Sequence, residues 1–331
     1  MGVNVRTLRW LTWAALAAVV SNAGIVLTGA LVRLTGSGLG CPTWPRCTQD
    51  KLVVHAELGF HGYVEFGNRM LTFVVAAVPV IALVLALLLR PRRRPLVRLS
   101  LAIFGGIFAN ALLGGITVLT GLNPWTVAAH FLLSVGLTYL AYALWVRVRE
   151  TGDEARVWQA PVAARSLVRA VVGAALLTLA LGTVVTGSGP HAGDPAAGRM
   201  GFAPETVSQL HADAVFLLIG LTVAAVLALP GLGAPSRVRR AMIVLLVVEL
   251  AQGTIGYVQY FTGLPIALVA AHVAGAMILW VAALRPLFGL RVRSSAGVGS
   301  GERAGSGERA DAAGRALPAA EPARDLTTQP G

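Results

Sequence analysis

Gly263-Leu264-Pro265-Ile266-Ala267-Leu268-Val269-Ala270-Ala271-His272 repeats Gly121-Leu122-Asn123-Pro124-Trp125-Thr126-Val127-Ala128-Ala129-His130 at an offset of 142 residues, from 130 to 272. Each copy opens on a Gly-Leu turn beside a proline, enters an apolar helix and places one histidine a turn or two inside it. Glycine before a helix and proline at its first positions are ordinary start signals. The same start, leading twice to the same polar residue, points to an internal duplication.

The offset persists along the chain. Ala251-Gln252 answers Ala109-Asn110 at 142, and His211 falls opposite Asn68 at 143, with Phe216 opposite Phe73. Val185-Thr186-Gly187-Ser188-Gly189 echoes Leu34-Thr35-Gly36-Ser37-Gly38 at 151, from 36 to 187.

Composition sets the class. The chain of 331 residues is 56% hydrophobic and 13% charged, with a mean hydropathy of +0.71. Such a chain belongs in a bilayer. A spanning helix needs about 20 mostly apolar residues. Eight such stretches are predicted near 10–32, 64–89, 99–119, 126–146, 167–187, 206–229, 241–260 and 266–288. An even number of spans per half gives both halves one orientation, related by a pseudo-twofold axis along the membrane normal. The expected fold is all-α and integral to the membrane, with eight transmembrane helices arranged as two parallel-repeat four-helix bundles. The expected division is an N-terminal half over 1–150, a cytoplasmic linker over 151–165 and a C-terminal half over 166–293. A cytoplasmic tail over 294–331, rich in Gly, Ala, Ser and Pro, reads as disordered.

Arginines set the orientation. Arg6, Arg9, Arg90, Arg92, Arg93, Arg94 and Arg98 lie at one set of helix ends, with further groups near 147–169, 237–240 and 285–293. The opposite ends hold few, among them Arg46, Lys51 and Arg199. The first set reads as cytoplasmic, with both termini inside. The net charge of +12 is mostly this bias. The arginines flank spans and form no stripe, which argues against nucleic acid as a partner. The first apolar segment is too long for a signal-peptide core and reads as a retained helix.

Cys41 and Cys47 are the only cysteines and lie in an outer loop. An oxidising outer face allows a disulfide. A loop staple and a reversible redox pair both fit; a metal site wants more ligands than two thiols. Glu65 and Arg69 stand i, i+4, the spacing of a helical ion pair, with Asn68 one turn from Glu65. Pro79 should kink this helix. Asn110 and Gln252 read as packing hydrogen-bonders, and Glu249 is an intramembrane carboxyl without an assigned partner.

His130, His211 and His272 lie about 4–7 residues inside the outer ends of even-numbered helices, roughly 6–10 Å deep. Two imidazoles on facing helices can grip a heme iron from both sides, and bundle interiors are natural cofactor sites. His211 and His272 are therefore read as axial ligands. A mononuclear copper or zinc site would want ligands that this half does not supply. The first half keeps His130 but has Asn68 where the repeat predicts histidine, so one iron face stays open there. His61, about two turns before Asn68, could reach over it. A saturated heme suits electron transfer and an open one suits chemistry. Two rivals share these features: a bis-His membrane electron carrier or quinol-linked cytochrome without substrate chemistry, and a transporter built on a parallel repeat.

Leu34-Thr35-Gly36-Ser37-Gly38-Leu39-Gly40-Cys41-Pro42-Thr43-Trp44-Pro45-Arg46-Cys47, the Glu65 to Arg69 element and the histidines at 130, 211 and 272 together resemble the heme A synthase family over about residues 10–288. The paired-cysteine loop looks like its bacterial form. The resemblance implies a bacterial plasma-membrane oxidoreductase that converts a methyl group of heme O to the formyl group of heme A for cytochrome c oxidase. It implies heme b on His211 and His272, substrate heme O on His130, and a catalytically important carboxylate at Glu65. Asn68 departs from the family's histidine. Arg33 and Arg69 are candidates for pairing with heme propionates. Implied partners are heme O synthase, the cytochrome c oxidase assembly route and a membrane electron donor such as a quinol, and a homo-oligomer is compatible with the family.

Overall fold

Apolar stretches long enough to span a bilayer fold as helices because lipid offers their backbone no other hydrogen-bond partners. The computed structural model describes residues 4–150 and 156–293. Its helices are α1 Val5–Leu34, α2 Gly59–Leu88, α3 Arg94–Leu119, α4 Pro124–Arg149, α5 Val162–Ser188, α6 Pro204–Gly231, α7 Ser236–Phe261 and α8 Ile266–Gly289. All eight are long and apolar enough to cross a membrane. This is the multi-pass all-α protein expected. Most helices overrun the predicted spans, because the hydrogen-bond ladder continues past the apolar stretch. His61 accordingly falls in the first turn of α2, and α2 runs on through Pro79. Large apolar side chains such as Phe73, Phe216, Leu227 and Phe261 are exposed, as a lipid-facing surface requires.

The doubled Gly-Leu turn is a physical device. Gly121 and Leu122 have φ of 63° and 58°, and Gly263 and Leu264 have φ of 77° and 60°. A leucine in the left-handed region costs roughly 1–2 kcal/mol. At both turns the leucine amide donates back to the preceding helix, Leu122 to Thr117 at 2.8 Å and Leu264 to Gln259 at 2.7 Å. The Leu122 side chain is then buried with Ala192 and Ala197.

Helix contacts close into two circuits. α1 packs on α2, α2 on α3, α3 on α4 and α4 on α1; α5 to α8 do the same among themselves. In each circuit the even-numbered helices stand diagonally opposite. The circuits join through α1 with α8, α4 with α5 and α4 with α8. Hydrogen bonds cross this seam at separate levels. Trp280 Nε1 on α8 donates to the Val135 carbonyl on α4 at 3.0 Å. Nearer the cysteine loop, the Gly38 amide donates to the Gly193 carbonyl at 2.9 Å, and Arg33 Nη2 donates to the Thr186 carbonyl at 2.5 Å.

One element departs from expectation. Part of the predicted linker forms a strand, β1 Arg156–Trp158, which pairs antiparallel with β2 Arg291–Arg293. α5 also begins inside the range assigned to the linker. Trp158 is flanked by the guanidinium carbons of Arg165 and Arg169, 4.8 and 5.5 Å from its ring. The rest of the predicted linker, with Asp153 and Glu154, and the tail 294–331 lie outside the described residues.

Candidate functional site

Each histidine singled out from sequence meets a glycine on the preceding helix. A Cβ built on Gly182 of α5 would lie 3.3 Å from His211 Cε1, and one on Gly256 of α7 would lie 3.2 Å from His272 Cε1. Gly114 of α3 stands 3.0 Å from His130 Cε1 by the same measure. The fourth position completes the pattern, with Gly29 of α1 at 4.0 Å from Asn68 Nδ2. The absence of a side chain at each glycine lets the Cε1 edge of an imidazole, or the Asn68 amide, approach the neighbouring helix closely. Asn68 stands at the corresponding position of its helix, held by Thr28, whose hydroxyl donates to Asn68 Oδ1 at 2.8 Å.

The diagonal placement of α6 and α8 brings their histidines opposite each other. The ring centroids of His211 and His272 are 6.5 Å apart, with planes at 73°. Two imidazoles bound to one iron between them, at about 2 Å per bond, hold their centroids just over ~6 Å apart. Nδ1 of His130, His211 and His272 is buried and has no hydrogen-bond partner. The Asn110 and Thr178 carbonyls lie beside His130 and His211, outside hydrogen-bond geometry. Among the described residues no group of three or more His, Cys, Asp or Glu could hold a metal ion. Two imidazoles with a porphyrin supplying the equatorial donors match this set, so the C-terminal residues fit a heme.

A polar side chain on the odd helix braces each ligand helix of α4 and α8. Gln252 Nε2 donates to the His272 carbonyl at 2.9 Å. Asn110 is one methylene shorter and works through a bridge: its Nδ2 donates to Ser134 Oγ at 2.9 Å, and Ser134 Oγ donates to the His130 carbonyl at 3.0 Å. Both residues therefore have the packing role read from sequence. Glu249, buried at 1% exposure, accepts from Thr222 Oγ1 at 2.8 Å through one oxygen.

Cys41 and Cys47 form a disulfide, both fully buried, which removes them as thiolate ligands. The loop they close is clamped to α2. Glu65 Oε2 accepts the Cys41 amide at 2.6 Å, and Glu65 Oε1 pairs with Arg69. Arg69 also donates to the carbonyls of Cys41 at 2.7 Å, Thr43 at 2.9 Å and Arg46 at 3.2 Å. The i, i+4 pair is thus real, and both partners are committed to the loop. A buried carboxylate accepting an amide and a guanidinium has part of its desolvation cost offset. Gly40 makes the approach possible, since a Cβ there would fall 2.2 Å from the His61 carbonyl oxygen. His61 Nδ1 is bonded to Ser37 Oγ at 2.9 Å. Arg33 spends one nitrogen on Thr186, while its Nε is buried without a partner.

Sequence reading missed the glycine seats, Ser134 and Trp44. A glycine recurring on the helix before each ligand position was the available signal.

A family model described as cytochrome oxidase assembly protein matches residues 10–284. The chain is similar to the heme A synthase of Geobacillus thermodenitrificans, 32% identical over 130 residues, or 38% of this chain and 39% of that protein. It is also similar to the heme A synthase of Lysinibacillus sphaericus strain C3-41, 34% identical over 136 residues, or 41% and 42%. That of Listeria welshimeri is 31% identical over 120 residues, or 36% and 38%. The matched stretch spans about two fifths of the length of these curated relatives.

Proposed function

The chain belongs to the cytochrome oxidase assembly protein family, and from that premise we propose that it is a heme A synthase, oxidising a methyl group of heme O to a formyl group. The observation that carries this reading is one architecture with two outcomes. The same glycine seat faces His211 and His272 in one half, and His130 and Asn68 in the other. His211 and His272 would hold heme b, which supplies electron transfer when bound. His130 gives the substrate heme a single imidazole, and the Asn68 amide, tied to Thr28, leaves the opposite face ungripped.

On this reading 1–150 is the substrate half and 166–293 the heme b half, related by a pseudo-twofold along the membrane normal. Glu65, marked as catalytic by the resemblance, touches Arg69 and the Cys41 amide; its role is to position the loop and set the charge at that end. Arg33, with one nitrogen unpaired, is the better placed of the two arginines to meet a propionate; Arg69 would have to leave its clamp. The protein acts in the plasma membrane with both termini inside. It takes heme O from its synthase, exchanges electrons with a membrane redox partner of the quinol/quinone type and delivers heme A toward cytochrome c oxidase.

Purified full-length protein given heme O and a competent redox partner should yield hydroxylated and formyl hemes on extraction. Heme O recovered unchanged would return the chain to the electron-carrier reading. Glu65→Gln should cut product formation about tenfold or more, the usual scale for a misplaced positioning group, while the heme b spectrum stays intact. Full activity in that variant would make Glu65 purely structural.

A further inference from the structure

The loop between Cys41 and Cys47 has a second foothold, which neither the disulfide nor the Glu65–Arg69 clamp accounts for. The indole of Trp44 lies against Gly115 of α3, where a built Cβ would fall 2.4 Å from Cδ2 and 2.6 Å from Cε2. Gly115 is adjacent to Gly114, the seat of the His130 imidazole. The other foothold, Arg69, is adjacent to Asn68. The loop therefore runs from beside one ligand position, on α2, to beside the other, on α3. It spans α2 and α3 at the end of the circuit that carries the disulfide.

The C-terminal half has no counterpart. At the offset of 142 that relates Gly114 to Gly256, Gly115 maps to Tyr257, and the outer loop of that half carries no cysteine. The seat and the strapped tryptophan occur where the second axial histidine is missing. Trp44 is half-buried, not a core residue, and the loop is already anchored by its disulfide and by the α2 clamp. Packing alone does not call for the largest aromatic side chain in that place.

We infer that Trp44 is a positioning residue for the substrate porphyrin: seated on Gly115 beside the His130 position, its indole helps retain a flat apolar macrocycle in the half that lacks a second axial histidine. This rests on the reading of the N-terminal half as the substrate site. The ligand class is a planar aromatic macrocycle, for which an indole face or edge is a suitable contact. Gly115 gives the indole a level seat, and the disulfide keeps the loop short enough to hold it there.

The experiment loads the full-length protein with heme O and follows its release to an excess of apomyoglobin, with the His211/His272 heme spectrum as an internal standard for folding. Trp44→Ala should release N-terminal heme O about tenfold faster than the parent, in line with aromatic contact magnitudes. Trp44→Phe should restore most of the retention. Gly115→Leu keeps the tryptophan but evicts it from its seat, and should behave like Trp44→Ala. Parent-like release from both Trp44→Ala and Gly115→Leu, with the heme b spectrum unchanged, overturns the inference and leaves the proposed function standing. If the parent takes up no heme O that His130→Ala abolishes, the substrate-site reading falls, and the inference with it.

Discussion

Replacing either His211 or His272 by alanine should empty the C-terminal half of its heme, with loss of the low-spin spectrum and of bound iron in the purified protein. The rings stand opposite each other at 6.5 Å between centroids, and no other His, Cys, Asp or Glu cluster among the described residues can take over. An iron held on one side only loses the coordination that makes it low-spin. Metal sites lose ten- to a hundredfold in affinity from losing an outer-shell partner alone, so removing an axial ligand should be felt more strongly still. Gly256→Leu offers a control that leaves both imidazoles present, since its side chain must push into the space beside His272 Cε1. It should weaken heme retention without removing a donor atom. Iron and pyridine-hemochrome assays on the variants decide the matter. Normal heme content in both alanine variants would remove the assignment.

Asn68→His should convert the open site of the N-terminal half into a two-sided one. The place is prepared for it. Gly29 lies opposite Asn68 as Gly182 lies opposite His211, and the Thr28 hydroxyl is in reach of the position. The added imidazole should shift the substrate heme from high-spin to low-spin and slow its release by about tenfold or more, a lower bound taken from outer-shell effects. Electron paramagnetic resonance of heme-loaded protein reads the change directly. A spectrum identical to the parent's would mean that Asn68 does not look across the cleft at His130.

Much of this was legible in the residues. The eight spans follow from apolar length, and the candidate histidines drew attention through their matching depth and repeated context. The Glu65–Arg69 pair follows from its spacing, and the bracing roles of Asn110 and Gln252 from their isolation in apolar helices. What escaped depends on relations between helices. A glycine seat is visible only when one knows which residue of the next helix lies against it, and that depends on rotation about both axes. The destination of Glu65 was hidden for the same reason, because the Cys41 amide it holds is distant in sequence and irregular in conformation. The β1–β2 ribbon escaped for another reason. Three-residue strands are too short for a period to emerge, and arginine alternating with valine reads equally well as an interfacial linker.

The seam bonds carry a mechanical corollary. Trp280 to Val135, Gly38 to Gly193 and Arg33 to Thr186 tack the two halves together at more than one height. A carrier that rocks its halves to expose a site first to one side and then to the other would have to break these tacks each cycle. A chain of redox centres needs the reverse: tunnelling rates fall steeply with distance, so a hop is dependable only when its span is frozen. On the proposed function, the stitching that opposes rocking would therefore help to keep the gap between the two proposed porphyrin sites the same at every turnover.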